Sequence, residues 1–304
     1  MTAGQWAVLL VIALFWGGAF FFVSIAIKDL PPMTLGAARI LIGGAILLAI
    51  LYGSGRRLPW NRQAWLWFTI VAAVNSVAPL FLLSWAQKTI SGGVTSIITA
   101  LTPLLVLFLA HFLTSDEKLD SRRLAGTAVG FAGVAVMIGL DARTRFDLAI
   151  WAQLAAVLAS VFFALGTVFA RRFRTLGIEP LTATTGFILM SGIIFLVLSL
   201  AIDRPWTLPV LGAAAIWSAV GAGALSTALG QFLFFRLIAQ TGANNISLVA
   251  VLTPISAILL GSLILGETLH VHHLIGMATV AIGLAIVDGR PIARLKSMLW
   301  NRTT

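Results

Sequence analysis

Residues Thr102 to Gly126 read TPLLVLFLAHFLTSDEKLDSRRLAG, and residues Thr253 to Gly276 read TPISAILLGSLILGETLHVHHLIG. In both stretches a Thr-Pro pair opens an apolar run, and a glutamate, a leucine and a glycine follow in the same order. Self-similarity over such a distance is the signature of an internal repeat. The sequence therefore predicts that the chain contains two copies of one structural unit.

Both copies lie in a chain that is apolar almost throughout. Hydrophobic residues make up 60% and charged residues 10% of 304 positions, whereas soluble domains carry about 25% charged residues. A membrane helix needs about 20 mostly apolar residues. Ten such runs predict an all-α integral membrane protein with short connections, and they are residues 6–27, 33–52, 64–87, 92–113, 123–140, 148–171, 180–202, 210–238, 243–265 and 272–288.

The repeat extends over five of these helices. The earlier segment LGAARILIGG matches ATTGFILMSG, with Gly44 on Gly192. An odd number of helices places the second copy upside down in the membrane. The charges agree, since the pair Arg122 and Arg123 is replaced by histidines in the second copy. We therefore expect two inverted five-helix repeats, residues 1–142 and 143–304, around a central cavity.

Lysine and arginine are distributed unevenly between the two sides of the predicted bundle. With the amino terminus inside, fourteen of the twenty lie on the inner side, five lie on the outer side, and Arg39 lies within a span. Short cytoplasmic loops retain an excess of these residues, so we predict that both termini are cytoplasmic. The net charge of +10 forms no continuous basic stripe with interleaved aromatic residues, which argues against a nucleic-acid partner.

Two short motifs accompany the Thr-Pro segments: FWGGAFF begins at Phe15, and AARILIGGAILL begins at Ala37. With these motifs and ten predicted helices, the sequence resembles the EamA-type branch of the drug/metabolite transporter superfamily over essentially its whole length. The resemblance implies a multi-pass carrier in a bacterial-type inner (plasma) membrane. It implies a cavity between the repeats and, often, export of amino acids or related metabolites.

Two other function classes are alternatives to a carrier. An embedded lipid-modifying enzyme would need an acid/base pair, a metal set or a nucleophile motif such as GxSxG, and a scaffold or sensor would need a long loop or a soluble domain. Neither pattern is present. We expect a non-enzymatic transporter without a cofactor, whose partners are a small-molecule substrate and membrane lipids. Transport of drug-like compounds or sugar nucleotides, and ion-coupled uptake, stay open as alternatives. The oligomeric state is also open, and a monomer is plausible.

Polar side chains within the spans are the candidates for substrate binding, because polar groups are expensive to bury in lipid. Arg39 is charged, and a carboxylate on the substrate would be its natural partner. Its alternative is a structural anchor that reaches the outer headgroups. Trp16 lies in mid-span, where its indole N–H needs a partner.

Two amides and a hydroxyl complete the candidate cavity-facing set. The amides of Asn75 and Gln231 have two donors and an acceptor, which their own helices cannot satisfy. The alternative for both is a hydrogen bond to a neighbouring helix. Thr102 belongs to the first Thr-Pro pair, where Pro103 is expected to kink its helix as Pro254 does in the second copy. Most threonine hydroxyls bond to their own helix.

The acidic residues and histidines bear on energy coupling and on metal binding. All ten acidic residues lie in loops or at helix ends, whereas ion-coupled carriers usually bind the ion at mid-depth. We therefore predict facilitated diffusion. Glu117 and Glu267 precede the fifth and tenth helices, where a helix start favours negative charge. His270, His272 and His273 have no obvious carboxylate partner, so no metal site is expected.

Overall fold

The computed structural model describes residues 1–114, 120–144, 148–241 and 248–289, and these contain helices but no strand. Glu117 therefore lies outside the described residues, as do several basic residues counted for the orientation. The helices are α1 (Ala3–Ala26), α2 (Pro32–Gly53), α3 (Arg62–Ala86), α4 (Gly92–Leu113), α5 (Ser121–Thr144), α6 (Leu148–Ala170), α7 (Pro180–Asp203), α8 (Ala213–Ile238), α9 (Leu248–Leu265) and α10 (Val271–Asp288).

Nine of the described helices are long and apolar enough to cross a membrane. The remaining one, α5, has 24 residues and would be about 36 Å long, but it carries charged residues near both ends. Large apolar side chains point outward, as Leu263 and Trp217 do with 80% and 71% exposure. Lipid can cover such surface. The multi-pass helical architecture is confirmed, and the count of ten crossings stays a prediction.

Local sequence signals set where several helices begin. Thr2 and Gln5 form a capping box at the start of α1, in which each side chain bonds the other residue's backbone N–H, at 3.3 and 2.9 Å. Pro32 and Pro180 begin α2 and α7. Proline suits this position because a first-turn N–H has no partner within the helix. The two prolines occupy corresponding places in the two sequence copies.

Glycines bring α5 and α10 into backbone contact. A Cβ added at Gly126 would lie 2.6 Å from the Gly283 carbonyl oxygen, and one at Gly283 would lie 2.6 Å from that of Gly126. Gly133 and Gly276 face each other in the same way, at 3.0 and 3.2 Å. The pairing order requires α5 and α10 to run antiparallel. Gly126 corresponds to Gly276 in the repeat alignment, and Gly133 corresponds to Gly283. Exchanging the two copies therefore converts the contact between Gly126 and Gly283 into the contact between Gly276 and Gly133.

The same reciprocity relates α2 and α7. A Cβ at Gly44 would contact Leu189 at 3.4 Å, and one at Gly192 would contact Leu41 at 2.9 Å. Gly44 corresponds to Gly192, and Leu41 corresponds to Leu189, in the repeat alignment. A contact in which residue i meets j and the equivalent of j meets the equivalent of i is what a two-fold relation produces.

Three described membrane helices contain a π-helical segment, and two of these segments lie at corresponding places; the third is Ser199–Asp203, at the end of α7. In α3 the segment is Ala73–Val77, and in α8 it is Ala222–Leu229. Asn75 precedes the first Thr-Pro pair by the same number of residues as Ser226 precedes the second. A π-helical turn closes its hydrogen bonds over one more residue than an α-helical turn, and such turns are frequent at functional sites. The middle of each helix is therefore locally wider.

The two Thr-Pro pairs behave differently. The helix α4 is interrupted at Ala100 and Leu101, whose N–H groups donate to Ile97 and Ile98, at 3.2 and 3.1 Å. These short-range bonds tighten the turn before Pro103, which has no N–H to continue the helix. In contrast, α9 is helical throughout Leu248–Leu265 with Pro254 inside it. The helix is therefore interrupted at the first Thr-Pro pair only, and the kink at Pro254 stays a prediction.

Candidate functional site

Arg39 on α2 is bonded to the π-helical segment of α8. Its Nε donates to Thr227 Oγ1 at 3.1 Å. The Thr227 hydroxyl in turn donates to the Ala222 carbonyl oxygen at 3.1 Å. Since a hydroxyl has one hydrogen, that second bond leaves its lone pairs directed at the guanidinium. The arrangement orients Arg39 without neutralising its charge.

Glycines allow α2 and α8 to approach closely at this point. A Cβ at Gly223 would lie 2.6 Å from the Arg39 carbonyl oxygen, and a Cβ at Gly43 would lie 2.6 Å from Thr227 Cγ2. Larger residues at either position would separate the helices. The bond between Arg39 and Thr227 therefore depends on two residues that carry no polar group.

Gln231 and Trp16 lie close to the same part of α8. Gln231 follows Thr227 by four residues, so the two side chains share a helix face. The Trp16 ring is 5.0 Å from that of Phe234, and its Nε1 would lie 2.8 Å from a Cβ at Gly230. Gln231 and Trp16 are partly buried, and neither forms a side-chain hydrogen bond within the described ranges.

We call Trp16, Arg39, Thr227 and Gln231 the α8 cluster. Three of its members were predicted from the sequence. Thr227 was missed, because a threonine within a membrane helix usually bonds to its own backbone and so gives no distinguishing signal. The cluster combines a guanidinium, a hydroxyl, an amide and an indole, which together can bind a small polar solute that carries an apolar portion.

Asn75 links α3 to α6 through a hydrogen bond. Its Nδ2 donates to the Phe163 carbonyl oxygen at 3.0 Å, and Ser226 Oγ donates to the Phe15 carbonyl oxygen at 2.5 Å. The two bonds join corresponding positions of the repeats. Asn75 therefore makes the interhelical bond that was its structural alternative. Thr102 is partly buried and forms no side-chain hydrogen bond to the α8 cluster among the described residues.

The pairing of Arg39 with Thr227 has no polar counterpart in the other repeat. Phe187 corresponds to Arg39, and Ser76 corresponds to Thr227. The Ser76 hydroxyl is buried and has no hydrogen-bond partner among the described residues. Phe187 is also buried, with 8% exposure. The positive charge therefore breaks the symmetry of the bundle and distinguishes one half of the molecule from the other.

A carboxylate joins three helices at the end of the bundle where α1 and α9 finish and α4 begins. Glu267 Oε1 accepts from Ser24 Oγ and from the Gly92 N–H, both at 3.2 Å, and its Oε2 accepts from the Gly93 N–H at 3.3 Å. Sequence reasoning placed this charge at the start of α10. It instead caps α4, because the chain turns back after α9 and the first N–H groups of α4 have no partner within the helix.

A second carboxylate acts in the same way at the same end of the bundle. Asp203 Oδ2 accepts from the backbone N–H and the hydroxyl of Thr34, at 2.8 and 3.0 Å. It thereby caps α2 from the end of α7. Two helices of the first repeat are thus held at this end by acidic residues of the second.

The opposite end of the bundle contains a cleft of about 390 Å³ between the start of α1 and the end of α8. Residues of both helices line it: Thr2, Gly4, Gln5, Val8, Leu233, Arg236, Leu237 and Gln240. An exposed ion pair, Arg56 Nε to Glu179 Oε2 at 2.9 Å, joins the repeats on that side. Exposed pairs contribute about 0–1 kcal/mol. Two capping carboxylates therefore join the repeats at one end, whereas an exposed ion pair joins them at the other.

The histidines near the start of α10 contact one another: the rings of His270 and His272 are stacked with centroids 5.3 Å apart, and those of His272 and His273 are tilted with centroids 4.2 Å apart. The backbone N–H of His270 donates to His273 Nδ1 at 3.2 Å. Within the described residues, no three histidine, cysteine, aspartate or glutamate side chains are arranged to hold a metal ion. The cluster is accounted for by these local contacts at a helix start.

Comparison with known proteins identifies relatives over the whole described bundle. A model of the EamA-like transporter family matches residues 5–139 and again residues 150–287. The uncharacterized transporter YoaV of Bacillus subtilis is 22% identical and aligns over 91% of this chain and 94% of its own length. The uncharacterized inner membrane transporter YedA of Escherichia coli K12 is 25% identical over 92% and 89%.

A further relative and a solved structure give the same picture. Protein PecM of Dickeya dadantii is 26% identical over 90% of this chain and 88% of its own. One crystal structure of a protein superposes with a TM-score of 0.63 at 22% identity, covering 94% of this chain and 98% of that one. At that identity the likeness shows the fold alone.

Proposed function

Because this chain belongs to the EamA-like transporter family, we propose that it exports amino acids across the inner (plasma) membrane by alternating access. The chain is a multi-pass membrane transporter of small solutes. The proposal adds the solute class, the direction, facilitated diffusion as the mode of transport, and a cytoplasmic location for both termini.

The α8 cluster is the observation that carries the proposal. It places a guanidinium against the π-helical segment near the middle of α8, with an amide one turn further along the helix and an indole against Gly230. Arg39 can bind a carboxylate, Gln231 can donate to or accept from the rest of the polar end, and Trp16 offers an apolar face. An amino acid has a carboxylate, a second polar group and a side chain, and so offers a partner for each of these three residues.

The arrangement of the helices supports two inverted repeats and alternating access. Antiparallel pairing of α5 with α10 and reciprocal contacts between α2 and α7 agree with a second copy that enters the membrane from the other side. One end of the bundle is capped by Glu267 and Asp203, and the other end contains the cleft. A carrier that is closed at one end and opened at the other has this asymmetry.

We expect Gln231→Ala to lower amino-acid counterflow about tenfold, because a hydrogen bond worth about 1.4 kcal/mol is lost. Trp16→Ala should have a similar or larger effect. The folded yield of Gln231→Ala should stay near that of the parent, whereas Trp16→Ala should also lower it, because Trp16 packs against the core around Leu9 and Ile12. Rates are measured in proteoliposomes and divided by the amount of folded protein.

Asn75→Ala is the matched comparison. It removes the donor to the Phe163 carbonyl oxygen, so it should lower the folded yield while the rate per folded molecule stays unchanged. If Asn75→Ala slows transport per molecule and Gln231→Ala does not, the site lies between α3 and α6 and the α8 cluster is structural.

Facilitated diffusion predicts that transport needs no ion gradient. The described membrane helices carry no acidic residue in their interiors, and ion-coupled carriers usually use such a residue or a histidine. Proteoliposomes preloaded with an amino-acid mixture should show counterflow without a gradient, and ionophores that collapse proton or sodium gradients should change the rate by less than about twofold. Accumulation that requires an imposed gradient would establish ion-coupled transport instead.

A further inference from the structure

Arg39 lies about 10 Å along α2 from Pro32, at 1.5 Å per residue. Among the charged residues of the described helices, no other lies so far from both helix ends. Charge at this depth is expensive unless it has a partner or serves a function. Within the described residues, Arg39 makes one side-chain hydrogen bond, through Nε to Thr227, and no ion pair.

The single bond leaves the other edge of the guanidinium without a hydrogen-bond partner among the described residues. With Nε occupied by Thr227, the two terminal nitrogens still present N–H groups in a planar fork. Such a fork matches the two oxygens of a carboxylate, and bidentate pairs of this kind are among the stronger hydrogen bonds in proteins. Thr227 fixes the plane of the fork, because its own hydrogen is committed to Ala222.

The cluster contains no carboxylate that could pair with an ammonium group on the solute. None of its four members is acidic, and the carboxylates of Glu267 and Asp203 are engaged at one end of the bundle. A positive solute without a carboxylate would meet an uncompensated cation at the site. The site therefore selects solutes by their carboxylate, and an amino group on the solute contributes little to binding.

We infer that Arg39 and Thr227 form a carboxylate-binding subsite, in which Arg39 pairs with the carboxylate of the transported solute and Thr227 positions Arg39. The inference rests on the proposed transport function and widens its solute class. Organic acids that lack an amino group bind as well as the corresponding amino acids, whereas amides of those amino acids do not. The apolar portion of the solute lies toward Trp16.

The experiment measures the thermal unfolding of the purified full-length protein in detergent against matched solutes. For the leucine, phenylalanine and serine side chains, the probes are the amino acid, its carboxamide and its 2-hydroxy acid. For at least one side chain, the acid forms should bind about 10- to 100-fold more tightly than the carboxamide. The 2-hydroxy acid should fall within about threefold of the amino acid.

Variants assign this preference to the subsite. Arg39→Gln should abolish the difference between acid and carboxamide. Thr227→Val keeps the Arg39 cation but removes the oxygen that accepts from its Nε, so it should reduce the difference between acid and carboxamide. Thr227→Ser keeps that oxygen and should retain the difference. Ser76→Ala alters the corresponding hydroxyl of the other repeat, which has no partner among the described residues, and should leave the preference unchanged.

The outcomes separate this inference from the proposed function. If the parent protein shows no preference for the acid forms, or if both Arg39→Gln and Thr227→Val retain it, Arg39 is a structural anchor and the subsite does not exist. If 2-hydroxy acids bind and amino acids do not, amino-acid export is wrong while the subsite stands. Should Arg39→Gln fail to fold, the comparison of Thr227→Val with Thr227→Ser decides, because both keep the charge.

Discussion

Gly17→Ala is expected to abolish most of the folded protein, whereas Gly18→Ala, one residue later, is expected to be tolerated. A Cβ at Gly17 would collide with Ser256 Oγ and would lie 2.7 Å from the Thr253 carbonyl oxygen. Some of these neighbours are backbone atoms of α9, so they cannot rotate away. At Gly18 the added atom would lie 3.8 Å from its nearest neighbours, which is ordinary contact.

The seam between α1 and α9 also includes a hydrogen bond from Ser256 Oγ to the Ala13 carbonyl oxygen, at 2.6 Å. Forcing the helices apart would break that bond and remove apolar contact along both helices. Overpacking of this kind costs about 1–3 kcal/mol, and more when backbone must move, which is a large share of the stability of a typical protein. Gly18→Ala should instead gain from better helix propensity, by at most about 1 kcal/mol.

The measurement is the yield of monodisperse protein after detergent extraction and size-exclusion chromatography, with the thermal unfolding midpoint of whatever is recovered. Equal yields and midpoints for the two variants would show that α1 and α9 are not in close contact at Gly17. A loss of folded protein in both variants would show that α1 tolerates no added side chain at either position. That outcome would contradict the space observed around Gly18.

Glu267→Ala is expected to open the end of the bundle at which α4 begins. The carboxylate holds Ser24, Gly92 and Gly93 together, and hydrogen bonds to a charged group contribute about 1.5–3 kcal/mol each when buried. Losing them should raise the population of molecules open at this end by about tenfold or more. The proposed orientation places this end outside the cell.

Accessibility can be read without background, because the chain contains no cysteine. Ser84→Cys places a thiol of similar volume on α3, about one turn from Gln87, whose Oε1 accepts from Ser24 Oγ at 3.1 Å; Ser84 and Gln87 are both buried, with 6% and 8% exposure. An impermeant maleimide should label the thiol of Ser84→Cys at least about tenfold faster in intact cells when Glu267→Ala is also present. Glu267→Gln should give an intermediate rate, since it keeps one acceptor oxygen.

Glu179→Ala is the control for the loss of a carboxylate, because Glu179 forms an exposed ion pair at the other end of the bundle. It should leave labelling unchanged. Identical labelling rates with and without the Glu267→Ala substitution would mean that the contact does not gate this end. Labelling that appears only after the cells are lysed would place this end in the cytoplasm and reverse the proposed orientation.

The broad architecture could be predicted from the sequence, because about twenty apolar residues in a row satisfy their backbone polar groups in lipid only as a helix. The π-helical segments could not be predicted, since a change from one hydrogen-bond register to another leaves the composition of an apolar run unaltered. The capping of α4 by Glu267 was missed for a related reason. The sequence around Glu267 shows only the start of α10, whereas the start of α4 comes within reach of its carboxylate only in three dimensions.

The candidate site was predicted in part. Arg39, Trp16 and Gln231 stand out because each carries a polar group that lipid cannot satisfy. The same reasoning selected Asn75, whose amide proves to be used by the Phe163 carbonyl oxygen. Side-chain chemistry identifies which residues need a partner, but it does not identify the partner. Thr227 illustrates this, because it lies far from Arg39 in the sequence.

The paired π-helical segments also bear on the history of the gene. A π turn takes up one residue more than an α turn, so a single inserted codon within a helix whose ends are held in place leaves such a turn behind. The turn occurs in both matched copies of the family domain, at corresponding positions. One insertion before the two copies were joined accounts for both, whereas separate insertions after that event would have to coincide in position.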